Sequence, residues 1–76
     1  MSSRLGGLKP REVLRALRNA GFEVHHITGS HYVLKNDQKP GLRVTLPWHG
    51  RDLKTGTLQA ILDQAGLTVD EFKNFL

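Results

Sequence analysis

The sequence predicts an α+β two-layer sandwich of order α-β-β-β-α, with one short further helix at its C-terminal end. Three observations carry this. Two segments repeat apolar residues at helical spacing, three short runs between them alternate with period two, and turn formers stand at the junctions. A three-stranded meander must have one face covered, and two amphipathic helices suffice for that. The other sheet face is therefore expected to stay open.

"KPREVLRALRNAG" puts Val13, Leu14, Ala16, Leu17 and Ala20 on one arc of a helix, with Pro10 near its first turn and Gly21 as its stop. Arg11, Arg15 and Arg18 form a separate stripe facing away from that arc, either a solvated charged face or a phosphate-contacting ridge. "FEVHHI" alternates Phe22 and Val24 with Glu23 and His25, and "SHYVLK", Ser30 to Lys35, is aromatic and β-branched; both predict strands. "NDQKPG", Asn36 to Gly41, is a turn. "LRVTL" then alternates Leu42, Val44 and Leu46 against Arg43 and Thr45, and Pro47, lacking an N–H for the ladder, closes the meander. After the loop "PWHGRDLKTG", the segment "TLQAILDQAG" carries a buried stripe of Leu58, Ile61, Leu62 and Ala65, stopped by Gly66. Thr68 and Glu71 form a capping box, and Leu67 and Phe72 stand at staple positions of a last short helix in "VDEFKNFL".

With 76 residues the chain is expected to form one domain, 1–76, near the size at which folding buries only about 60% of the unfolded chain's surface. It has no cysteine, so neither disulfides nor thiolate metal sites supplement the core, and a reducing cytoplasm is the expected compartment. No apolar run approaches the roughly 18 residues of a membrane span, and "MSSRLGGLK" lacks a leader's apolar stretch. The net charge is +4. The excess lies in the body of the chain, while Asp63, Asp70 and Glu71 outnumber Lys73 toward the end. Such a balance suits a polyanion such as nucleic acid, an acidic protein partner, or simple solubility.

Four histidines, His25, His26, His31 and His49, are the main chemical resource. None of their spacings is the i, i+4 pair of a helical zinc site, and carboxylates are sparse nearby, so no metal and no cofactor is expected. Ser30 lacks the Gly-x-Ser-x-Gly elbow of a serine nucleophile and is expected to hydrogen-bond backbone or ligand. General acid–base work needs only an imidazole, with its ordinary pKa near 6.5, on a rigid element. His31 at the start of the second strand has that setting, and by pattern alone it is either a proton-transfer group or a half-exposed strand histidine.

The chain resembles the HicA family of bacterial toxins, also called YcfA-like, from about Leu8 to Phe72. The matching pieces are "LKPREVLRALRNAGFEV", "GSHYVL", "VTLPWHG" and "LKTGTLQAILDQAGLTVDEF", in family order and at family separations. The resemblance implies a fold like a double-stranded RNA-binding domain and an mRNA interferase that cleaves RNA to inhibit translation. It also implies neutralisation by a HicB antitoxin covering the active site. The family's catalytic residue, the histidine of Gly-Ser-His, maps onto His31. RNA supplies its own nucleophile, the 2′-OH, so proton transfer and charge stabilisation at the phosphate are all the protein need provide. Gly29 and Ser30 are expected to contact RNA beside His31. Lys35 shares the parity of His31 and is the first phosphate-binding candidate, followed by Arg43 and Lys54. His49 and His26 are the remaining imidazoles for a second proton transfer. Two positions depart from the family. Thr28 replaces an often basic residue, and Trp48 replaces a small or aliphatic one, either to stack on a base or to cap the core. A non-catalytic RNA-binding module of the same fold is the alternative.

Overall fold

In the computed structural model, residues 6–76 are described. The reading of the N-terminal segment as lacking a leader falls in part on residues 1–5, outside the described residues. Six elements follow one another: α1 Pro10–Asn19, β1 Phe22–Thr28, β2 His31–Asn36, β3 Arg43–Pro47, α2 Thr55–Ala65 and α3 Val69–Lys73. The three strands form one antiparallel sheet in the order β1-β2-β3. This is the α+β architecture expected from the sequence, and no helix among the described residues is long and apolar enough to cross a membrane.

α1 starts where Pro10, whose missing N–H needs no partner, takes the first helical position, and the Glu12 carboxylate accepts the Lys9 N–H at 2.8 Å. It ends because Gly21 turns to φ +102°, where an L side chain is strained; a Cβ there would also stand 3.1 Å from the Asn36 Nδ2. Asn36 was expected in the turn but closes β2 instead. Its buried side chain accepts the Gln38 N–H at 2.9 Å and donates to the Ala20 carbonyl at 3.4 Å, tying the end of α1 to the β2–β3 turn.

One sheet face carries Phe22, Leu34, Val44 and Leu46. These pack against Val13, Ala16 and Leu17 of α1, the predicted stripe Leu58, Ile61, Leu62 and Ala65 of α2, and Phe72 of α3. Burying each large apolar side chain stabilises by about 1.5–3 kcal/mol, which makes this shared core the reason both helices lie on the same side. Leu53 joins the core from within the loop, and its N–H donates to the Leu8 carbonyl at 2.8 Å. Gly66 ends α2 at φ +70° as expected. The Thr68–Glu71 box is formed in both directions, at 2.8 and 3.1 Å, and seats Phe72 fully in the core. α2 also covers the β3 edge, where the Thr45 N–H donates to Gln64 Oε1 at 2.9 Å.

β1 departs from the alternation expected of it. The register shifts between Val24 and His26, so His25 is an extra, bulged residue, and His26 stands opposite Val33.

Candidate active site

The helices leave the second sheet face open. Residues directly opposite each other across a ladder share a face. The pairing therefore gathers Thr28, His31 and Pro47 at one end of the open face, His26, Val33 and Thr45 in the middle, and Glu23, Lys35 and Arg43 at the other end. Val33, in the central row between His26 and Thr45, is only 4% exposed. The one apolar position in the middle of this face is thus closed to solvent.

His31 owes its position to the turn before it. Thr28 pairs with His31, so Gly29 and Ser30 are a two-residue hairpin loop. Gly29 has φ +57° and Ser30 has no positive φ, the pattern of a type II′ turn, whose first loop position favours glycine. The backbone angle explains the glycine. Nothing lies within 4 Å of where its side chain would be, so the space above the turn is also clear. The Ser30 carbonyl accepts the Trp48 N–H at 2.7 Å and fastens the turn to the exit of β3. His31 is exposed, and its ring has no hydrogen-bond partner among the described residues.

Other candidates fall into two groups. Lys35 does share the face of His31, but it lies four strand steps further on, about 13 Å at roughly 3.3 Å per step. Lys35 and Arg43 face each other across β2 and β3 and form a cationic pair at the far end of the sheet. His49 and Lys54 lie beyond β3, near Pro47. Together with Pro47, Arg51, Asp52, Leu53 and Thr57 they line an open groove of about 370 Å³. The Arg51 N–H donates to His49 Nδ1 at 3.1 Å, which makes Nδ1 the acceptor and leaves Nε2 to carry the ring proton.

Arg11, Arg15 and Arg18 are all exposed on α1, hence on the helical layer and away from the sheet face of His31. Arg18 approaches Glu23 at 3.8 Å. Trp48 is half-buried, stacked on Tyr32 at 4.2 Å between ring centroids, and packed against the core. One indole face is thereby used in packing. The indole also lines a second groove, of about 450 Å³, with Lys9, Pro10, Arg11, His49 and Gly50.

The sequence missed the face of His26. Strict alternation from Phe22 and Val24 would send it to the core side, and the bulge reverses that. A signal was present: the apolar residues of β1 are Phe22, Val24 and Ile27, spaced by two and then by three, so one extra residue must be absorbed between Val24 and Ile27. His26 lies opposite Val33, one pair along from Thr28 and His31 on the same face, and its Nδ1 stands 2.8 Å from His25 Nδ1.

Comparison with known families completes the description. A sequence model described as "HicA toxin of bacterial toxin-antitoxin" matches residues 10–67 of the 76-residue chain, from the start of α1 to just past α2. That span includes the Gly29-Ser30-His31 turn, the whole open sheet face and every residue of the groove that His49 shares with Lys54. The chain therefore belongs to the HicA family of toxins of bacterial toxin–antitoxin pairs.

Proposed function

We propose that this toxin is a metal-independent endoribonuclease, an mRNA interferase acting in the cytoplasm, with His31 as general acid–base at the scissile phosphodiester. The observation that carries this reading is His31 itself, an exposed imidazole without a partner among the described residues, held at the end of the central strand on a sheet face that no helix covers. Family membership and the net charge of +4 support RNA as its target.

In this reaction the 2′-OH attacks the adjacent phosphorus. His31 takes or returns a proton, and cations on the same face hold the chain's phosphates, Lys35 and Arg43 those away from the scissile one. Gly29 and Ser30 border the attacking sugar, and His49 Nε2–H and Lys54 supply donors from the neighbouring groove. Membership of a toxin–antitoxin family implies an antitoxin partner, and we assign it the open face, where a HicB-like protein would occlude His31.

The test is cleavage of a labelled RNA by the purified chain in excess EDTA. The expected products end in a 2′,3′-cyclic phosphate and a 5′-OH. Salt-sensitive binding with no fragments at any protein concentration would instead make the chain a non-catalytic RNA-binding module.

A further inference from the structure

We propose that His26 is a second catalytic residue, the proton donor to the leaving oxygen, and that His25 is the positioning residue that holds it; the inference rests on the ribonuclease reading of His31. The bulge supplies the first argument. A bulge adds one residue and re-aims the side chains around it. Here the register shift between Val24 and His26 puts His26 opposite Val33, while Thr28 is opposite His31. His26 and His31 are thus diagonal neighbours on adjacent strands of one face. Such positions have Cα atoms about 7–8 Å apart, within reach of large side chains. A phosphodiester between the two rings can be met by both.

The second argument is the contact behind His26. Its Nδ1 lies 2.8 Å from His25 Nδ1, with the rings edge-on at 78° and their centroids 5.1 Å apart. Two imidazole nitrogens at that distance share one proton, one donating and the other accepting. When His26 carries both protons, its Nδ1–H donates to the lone pair of His25, and its Nε2–H remains for substrate. His31 has no such partner among the described residues, and one of its nitrogens is open to accept a proton. The remaining charged groups of this face, Lys35, Arg43 and Glu23, occupy its far end, and the helices pack on the other face.

The step balances as follows. His31 takes the 2′-OH proton while that oxygen bonds to phosphorus. The bond from phosphorus to the 5′ oxygen breaks, its electron pair stays on oxygen, and the Nε2 proton of His26 neutralises it. A 2′,3′-cyclic phosphate and a 5′-OH result. His31 ends protonated and His26 neutral, and water exchanges the protons back.

The experiment uses an RNA that the parent cuts, and the same RNA with a bridging 5′-sulfur at the cleaved bond, whose thiolate leaves without a proton. His26→Ala should lower cleavage of the ordinary RNA by about 10²- to 10⁴-fold, the worth of one acid–base group, yet cut the sulfur-bridged RNA within a few-fold of the parent. His31→Ala should lose both. His25→Ala should lower kcat on the ordinary RNA by less than His26→Ala does, leave KM unchanged, and cut the sulfur-bridged RNA within a few-fold of the parent, because the His26 ring has lost only the neighbour that orients it. His26→Ala cutting ordinary RNA at the parent's rate, or losing both substrates equally while melting like the parent, overturns the assignment of His26 and leaves His31 standing. If no RNA is found that the parent cuts in EDTA, both assignments are overturned.

Discussion

An L side chain at Gly29 would have to adopt φ +57° in the turn that launches β2. Left-handed backbone costs an L residue about 1–2 kcal/mol, and here that cost falls on the two-residue loop that sets the direction of His31. Gly29→Ala should therefore lower the stability by about that amount and lower cleavage further, because the turn relaxes by displacing the imidazole. Thermal melts beside cleavage rates check this; a melt lowered with kcat untouched would mean that the turn does not aim His31. The glycine was legible in the sequence as part of Gly-Ser-His, but its reason was not. Contact with RNA was the expectation, and the positive φ of the turn is what requires the residue. Asn36, Leu53 and Val33 were illegible for a different reason. Each is buried by partners that local pattern does not reveal: Asn36 by the end of α1, Leu53 by the helical core and Val33 by its neighbours across the open face.

Among the elements, the helices were the most legible, since Leu58, Ile61, Leu62 and Ala65 announce their face by spacing and Gly66 announces the stop. β1 was the least, because a bulge is set by pairing with β2 and leaves in the sequence only the uneven spacing of Phe22, Val24 and Ile27. α3 shows a local signal that works as written. The Thr68 backbone N–H, and then its hydroxyl, hold the Glu71 carboxyl below its ordinary value of 4.5. A carboxylate pKa lowered by folding contributes stability that is present above the ordinary value and is lost as pH falls through the lowered one. The melting temperature should accordingly drop on the acid side of 4.5, and Glu71→Gln should flatten that part of the curve. An unchanged acid limb in the variant would show that the box does not anchor α3. Thr68→Ala, which removes the cap to the Glu71 N–H, should cost about 1 kcal/mol at neutral pH.

For the whole molecule, a three-layer arrangement would have buried both sheet faces. This chain has helices enough for one, and it leaves the other as a polar surface of three histidine-bearing or cationic rows over a single buried valine. The fold thus separates two tasks: one face holds Phe22, Leu34, Val44 and Leu46 in the core, and the opposite face of the same strands presents His31, His26, Lys35 and Arg43. Because successive strand residues point to opposite faces, the outer face can be changed with little loss of core volume. Removal of the His31 ring should therefore leave folding intact, and activity alone reports on it. The direct measurement is the rate of RNA cleavage in EDTA by the parent and by His31→Ala, with matched melting curves. A loss of about 10² or more with unchanged melting is the predicted result; a variant that melts like the parent and cuts RNA as fast would contradict the account.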